Sequence, residues 1–173
     1  GVTKLAAEHL CSLYHRNFGI PTVSLRYFTV YGPRQRPDMA FHRFCKAVLD
    51  RRSIRVFGDG LQTRDFTYVS DVVEANIQAA CSPSAAGEVM NIAGGSRVTV
   101  REVLTLLQEI SSLPVRVSFE EKQYGDVEHT YADTAHARQI IGYNPRVSLR
   151  EGLEREFAYI ASLTSEADSV QVA

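Results

Sequence analysis

VSLRYFTVYGP, residues 23–33, decides the fold. Val, Leu, Tyr, Phe and Thr crowd residues 23–30, the composition of a strand inside a sheet, and Tyr31-Gly32-Pro33 breaks it. Upstream, Leu5, Ala6, His9, Leu10, Leu13 and Tyr14 recur at spacings of three and four, which predicts an amphipathic helix over residues 3–18. Gly19 stops that helix and Pro21 follows. The chain opens at Gly1, already inside this helix, and reads as a piece of something longer.

The same alternation continues downstream. Phe41, Phe44, Cys45 and Val48 share one face of a helix over 40–50, and a strand over 54–57 ends at Gly58-Asp59-Gly60. Residues 66–69 read as extended. Asp71 with Glu74 has capping-box spelling and is expected to open a helix to about residue 80. A strand over 89–93 ends at Gly94-Gly95. A second capping box, Thr99 with Glu102, opens a helix to 111, and 114–119 reads as a strand. Asp133 is expected to cap a short helix that Gly142 ends. Ser148 with Glu151 caps the last helix, which runs to about 163 before a polar tail that frays. Adjacent strands are joined through helices, so the fold class is α/β with some parallel pairing, a sheet layer plus a smaller lobe.

Composition removes whole classes of function. Lys plus Arg is 19, Asp plus Glu is 20 and the net charge is −1, which excludes the electrostatic signature of a nucleic-acid binder or a polybasic membrane anchor. No apolar run approaches the roughly 20 residues that span a bilayer. Cys11, Cys45 and Cys81 are odd in number, scattered and free of CxxC, so a reducing cytoplasm is the simple reading. Cys11 and His15 lie one helical turn apart and read as a core Cys beside a surface His. No His spacing matches a metal site.

There is no GxGxxG, P-loop or GxSxG. Chemistry is concentrated instead in arginines. Arg34 and Arg36 stand in a loop led by Gly-Pro, Arg43 near a helix start, and Arg64 between Thr63 and Asp65 after a glycine turn. The planar guanidinium gives a diphosphate two parallel charge-assisted hydrogen bonds. Phe57, beside Gly58 at a strand end, can flank a planar base or fill a core.

GVTKLAAEHL, VSLRYFTVYGPRQRPDMA, VFGDGLQTRDFTYVSDVVEA, NIAGG at 91–95 and GDVEHTYADTAHARQIIGYNPRVSLREGL at 125–153 stand in one order. Together they resemble the extended short-chain dehydrogenase/reductase family, in its NAD-dependent sugar-nucleotide epimerase/dehydratase group. The resemblance covers nearly all of residues 1–160 and is similar to the C-terminal half of the UDP-glucose and UDP-glucuronate 4-epimerases. It implies the end of a Rossmann-type parallel sheet layer over 1–32, a sugar-nucleotide-binding lobe mainly over 33–163 with 66–95 returning to the sheet layer, and a flexible tail over 164–173.

The family's Tyr-x-x-x-Lys pair is represented by Lys4, with the Tyr falling immediately before Gly1. In the family that Tyr removes the proton of the sugar C4 hydroxyl while hydride passes to NAD, giving a 4-keto intermediate. A tyrosine hydroxyl needs a nearby cation to act as a base at neutral pH. The resemblance makes Lys4 that cation and a ligand of the nicotinamide ribose. It places the backbone of Tyr27 and Phe28 along the nicotinamide and Thr29 against the substrate, where many 4-epimerases carry Asn. Arg36 and Arg43 fall at substrate-contacting positions of the uronic-acid epimerases, Val56 and Phe57 flank the uracil, and Arg64 grips the diphosphate. A later motif normally reads Arg-x-Gly-Asp. Here Lys122-Gln123-Tyr124-Gly125-Asp126 has no Arg, and Lys122 is the substitute, a point charge without a fork. Asp126 and Asp133 brace the loop.

The function implied is an NAD-dependent 4-epimerase of a UDP-hexose or UDP-hexuronate, inactive in this chain alone for want of the Tyr and the glycine-rich loop. A sugar-nucleotide dehydratase or decarboxylase, and a non-catalytic binding protein derived from such an enzyme, remain open. The implied partners are a UDP-sugar, and either a second copy docked through the helix over 3–18 or a chain supplying an N-terminal half.

Overall fold

The computed structural model describes residues 1–122, 125 and 127–170, with side chains as far as Thr164. Helix α1 (Val2–Phe18) ends on Gly19, whose left-handed backbone (φ 66°) returns its N–H to the His15 carbonyl. Strands β1 (Ser24–Tyr27) and β2 (Val30–Tyr31), helix α2 (Ala40–Leu49), and strands β3 (Ile54–Phe57), β4 (Thr63–Asp65) and β5 (Thr67–Tyr68) follow. Then come α3 (Val69–Cys81), β6 (Val89–Ile92), β7 (Arg97–Thr99), α4 (Val100–Ser111), β8 (Val117–Glu120), α5 (Ala135–Ile141) and α6 (Leu149–Val170). The architecture is α/β. Three strand pairs are parallel (β1 with β6, β2 with β5, β3 with β8), and β4 with β7 is antiparallel.

The strand expected over 23–30 divides at Phe28 and Thr29, because its hydrogen bonding changes partner there. The Phe28 N–H still donates to the Ile92 carbonyl at 3.0 Å. The Phe28 carbonyl accepts the Thr67 hydroxyl at 2.8 Å, and the Thr29 carbonyl accepts the Thr67 N–H at 3.0 Å. One strand thus leaves β6 and joins β5 within two residues. The extended stretch expected over 66–69 is short for the same reason: β5 ends at Tyr68 and α3 starts at Val69.

The two capping boxes have different fates. Thr99 and Glu102 make both reciprocal bonds, at 3.1 and 2.7 Å. Asp71 does not cap α3. It is buried, and its two carboxylate oxygens accept the N–H groups of Arg146 (3.2 Å) and Val147 (3.3 Å), tying α3 to the segment before α6. Asp133 holds the start of α5 from one residue outside it, accepting the Ala135 N–H at 2.8 Å, and Ser148 accepts the Glu151 N–H at 3.3 Å. Helix α6 continues to Val170, past the expected end near 163, since no Gly or Pro interrupts 153–170.

Two cores form. The larger gathers Tyr31, Phe41, Phe66 and Tyr68, with Tyr31 edge-on to each of the other three rings at 5.0, 6.2 and 5.5 Å. Val56, Leu104, Leu107, Leu153 and Ile160 pack around them. Aromatic burial of this kind stabilises by more than its area. Gly152 of α6 packs on Tyr31 and Tyr68, where a Cβ would overlap both rings. The smaller core joins α3, β6 and α5 through Val72, Ala75, Met90, Ile92, Ala137 and Tyr143. Helix α1 buries no residue, and Leu5, Leu10, Leu13 and Phe18 are exposed along it. Among the described residues no helix is long and apolar enough to cross a membrane.

Candidate functional site

A cavity of about 280 Å³ opens where the larger core reaches the surface, and five residues picked out in the sequence line it: Thr29, Arg43, Val56, Phe57 and Arg64. Each arrives from a different element or a different end of one. Thr29 stands at the exchange between β1 and β2. Arg43 rises from the first turn of α2. Val56 and Phe57 close β3, and Arg64 is the middle of β4. Parallel pairing of β3 with β8 sets Val56 opposite Phe119 and buries it, while Phe57 stays half-buried at the strand end, free to flank a planar group.

The cavity lining combines apolar Phe41, Phe44, Phe66 and Val103 with the cationic Arg43, Arg55 and Arg64 and the carboxylate of Asp38. One Arg64 N–H group donates to the carbonyls of Thr63 (2.9 Å) and Glu128 (3.3 Å), which orients the guanidinium. Behind it, buried Asp65 accepts the N–H groups of Gly95 (3.1 Å) and Ala132 (3.4 Å). Burial pushes its carboxyl up from the ordinary value, and the backbone N–H groups oppose that. Arg64 is therefore presented by a strand clamped from its next residue. Gln62 fixes the β3 end by donating to the Phe57 carbonyl at 2.9 Å.

Phe57 and Gln62 also line a second cavity of about 400 Å³, which adjoins the first along the end of β3. Lys122 lies there, beside Glu128 and His129, and its ammonium pairs with the Glu128 carboxylate. That hydrogen bond holds Glu128 below the usual carboxylate range. Asp126, expected to brace this loop, lies outside the described residues, as do Gln123 and Tyr124.

Not every expected residue reaches the cavity. Arg36 pairs with Asp38 at 3.0 Å and lines a shallower groove beside β2, while its neighbours Asp38 and Met39 take the place in the cavity wall. Tyr27 is half-exposed at the end of β1 and donates its hydroxyl to Asn76 at 2.8 Å. Lys4 is exposed on α1. The register of α1 locates it: Thr22 meets the Cys11 carbonyl at 2.8 Å and Arg26 meets Glu8 at 2.6 Å, so helix and strand run opposite ways. Lys4 stands one helical turn before Glu8. Cys11 and His15 do not pair; the His15 ring bonds the Ile20 carbonyl at 3.0 Å.

The sequence reading missed Asp38, Met39 and Gln62, which carry no distinctive local spelling, and Glu156. The last had a signal. Glu156 occupies the spacing of Leu149, Leu153 and Ile160, the buried stripe of α6, and it is fully buried. Among the described residues no group of three or more His, Cys, Asp or Glu could hold a metal ion.

Comparison with known proteins matches residues 1–93 to the model of the NAD dependent epimerase/dehydratase family. An uncharacterised UDP-glucose epimerase of Bacillus subtilis is 48% identical over 163 residues, covering 94% of this chain and 52% of the relative. A UDP-glucuronate 4-epimerase of Thermodesulfobacterium geofontis is 36% identical over 154 residues, covering 88% and 47%. Among solved structures, the UDP-glucuronic acid 4-epimerase of Bacillus cereus, in complex with UDP-glucuronic acid and NAD, superimposes with a TM-score of 0.89 at 47% identity, over 94% of this chain and 52% of that one. The chain spans about half the length of the relatives it matches. By this match and by its own α/β architecture, the chain belongs to the NAD dependent epimerase/dehydratase family.

Proposed function

We propose that the chain supplies the nucleotide-sugar-binding part, and the lysine of the proton-transfer pair, of an NAD-dependent 4-epimerase acting on a UDP-hexose or UDP-hexuronate. The observation that carries this reading is the convergence of Thr29, Arg43, Val56, Phe57 and Arg64 on one cavity. The UDP-glucose epimerase and UDP-glucuronate 4-epimerase relatives and the ligands of the Bacillus cereus enzyme support it.

In this reading the larger core belongs to the sugar-nucleotide lobe, and 1–32 with 66–95 to the sheet layer. Phe57 and Val56 flank the uracil. Arg64, presented from β4, and Arg43 neutralise the diphosphate. Lys122 adds a point charge from the adjoining cavity, and Arg36 reaches the substrate only by leaving Asp38. Thr29 offers a hydroxyl to the sugar at the exchange between β1 and β2, where the main chain is held by Thr67.

The residues present fit the nicotinamide end of NAD. Alternation along β1 sends the N–H groups of Ser24 and Phe28 to β6, so the peptide groups of Tyr27 face the other edge, which pairs with no strand among the described residues. The chemistry NAD would supply when bound there is reversible hydride transfer at sugar C4. The Lys4 ammonium group holds a tyrosine hydroxyl in its ionised form, ready to accept the C4 hydroxyl proton and to give it back.

Calorimetry of the chain against UDP, UDP-glucuronate, GDP-mannose and dTDP-glucose tests the reading. UDP and UDP-glucuronate are expected to bind, with GDP-mannose weaker. Absence of uridine binding, or equal binding of the guanosine compound, overturns it. A binding role without turnover is the second reading, favoured because no residue of α1 lines the cavity. The 173 residues incubated with NAD and UDP-glucuronate are expected to leave the sugar unchanged, and product formation would remove that reading. The exposed apolar residues of α1 are proposed as the contact with a second copy or a partner chain, which ultracentrifugation reports as a mass above that of the monomer.

A further inference from the structure

Glu156 is a carboxyl group with no exposed surface inside the larger core. Its Oε2 accepts the Gly32 N–H at 3.0 Å, across 124 residues of sequence. Its Oε1 is buried with no hydrogen-bond partner among the described residues, and no cation pairs with it there. Tyr31 of β2 and Cys45 of α2 feel its charge, and Tyr31 in turn lies within reach of Tyr68 of β5 and the carboxylates of Asp71 on α3 and Glu151 on α6. Arg155 lies over the Tyr68 ring at 5.6 Å and pairs with Glu151 instead. An apolar side chain at this point of the α6 stripe would satisfy packing. A carboxyl there costs desolvation and is retained only if it does something an apolar group cannot.

What it does is hold one amide. Gly32 (φ 131°) is pressed against Val69 and Tyr68, where a Cβ would overlap both, so the backbone has no room to find another acceptor. From Gly32 the chain runs as segment 32–39 into α2. The Gly32 carbonyl accepts the Gln35 N–H at 3.0 Å. The Gln35 side chain donates to the Val30 carbonyl (2.9 Å) and accepts the His42 N–H (3.0 Å). Glu156, Gly32, Gln35 and His42 are thus one hydrogen-bonded path from α6 to the first turn of α2. Asp38, Met39 and Arg43, which line the cavity, hang from it.

We propose that Glu156 is a positioning residue for the cavity: its carboxyl, through the Gly32 amide, sets segment 32–39 and the first turn of α2, and loss of its proton loosens them. The claim about ligand affinity rests on the cavity being the UDP-sugar site; the claim about the segment does not. Burial pushes the Glu156 carboxyl up from 4.5 to about 7, with the Gly32 N–H opposing. It therefore releases its proton across the neutral range. Ionisation strengthens the Gly32 N–H bond at Oε2, but it leaves Oε1 a buried charge without a partner among the described residues, which draws water or displaces its turn of α6 and carries Gly32 with it.

The test compares the ¹⁵N-labelled chain with Glu156→Gln, which keeps an acceptor for Gly32 and cannot ionise. Between about pH 5 and about pH 9, the amide signals of Gly32, Gln35 and Met39 are expected to move together in the native chain and to stay fixed in the variant near their low-pH positions. The His42 ring is common to both and cancels. Signals that move alike in both proteins, or Gly32 moving without Met39, overturn the proposal. In parallel, UDP is titrated at about pH 5.5 and about pH 8.5. The native chain is expected to lose about fivefold more affinity than the variant, the low end of ordinary coupling between sites. Equal losses mean that Glu156 does not reach the cavity. If the native chain binds no UDP at either pH, the functional reading fails while the amide signals still decide the role of Glu156.

Discussion

Replacing Glu156 by Gln should change how the stability of this chain depends on pH, by an amount the structure sets. The carboxyl is fully buried and, among the described residues, accepts one hydrogen bond and meets no cation, and its pKa is raised from 4.5 to about 7. A group whose folded-state pKa is raised keeps its proton in the folded chain after the unfolded chain has lost it. Stability is therefore full below about pH 4.5 and falls as pH rises to about 7, beyond which both states are ionised. At about 1.4 kcal/mol for each pH unit between the two values, the loss is about 3 kcal/mol. Glutamine has no proton to lose. Its amide N–H group, buried without a partner, costs about 1–3 kcal/mol, but equally at every pH. The prediction concerns the difference between the two curves. Urea unfolding at about pH 5 and about pH 8 should show the native chain losing about 3 kcal/mol more than the variant. For a chain of this size that is about 6 to 12 °C in melting temperature. Parallel curves would refute the argument, for Glu156 would then be ionised, or solvated, throughout.

Three further outcomes follow from packing and charge. Gly152→Ala places a methyl group against the Tyr31 and Tyr68 rings and should destabilise by about 1–3 kcal/mol in urea unfolding, with an unchanged m-value. Asp71→Ala leaves the N–H groups of Arg146 and Val147 without their acceptor and should cost about 1–3 kcal/mol, whereas an exposed cap at α3 would cost less and leave those two amides protected from exchange. Lys122→Arg restores the fork beside the adjoining cavity and should tighten UDP binding about threefold, read by calorimetry.

The elements that were legible in the sequence are those that close locally. Thr99 and Glu102 meet within one turn, and Gly142 ends α5 in a left-handed conformation that only local chemistry requires. Asp71 and Glu74 have the same spelling as a capping box, yet Asp71 is taken by amides 75 and 76 residues away, and no local pattern records that. The strand over 23–30 divides because Thr67 competes for its carbonyls. Of the cavity lining, Arg64, Phe57 and Thr29 were singled out through the motifs around them. Asp38 and Met39 stand in the cavity wall and Arg36 does not; its guanidinium pairs with Asp38. Glu156 was hidden by its type: a glutamate within LEREF reads as a solvated helix face, and only its coincidence with Leu149, Leu153 and Ile160 shows otherwise.

The central claim is that this cavity binds the diphosphate of a UDP-sugar through Arg64. Its most direct test is UDP-glucuronate calorimetry on the native chain, Arg64→Ala and Arg52→Ala. Arg52 is an exposed arginine paired with Asp50, and it does not line the cavity. Loss of a charge-assisted hydrogen bond to phosphate, about 1.5–3 kcal/mol, should weaken binding by Arg64→Ala at least about tenfold and leave Arg52→Ala close to native. Equal affinities for the two variants would contradict the account.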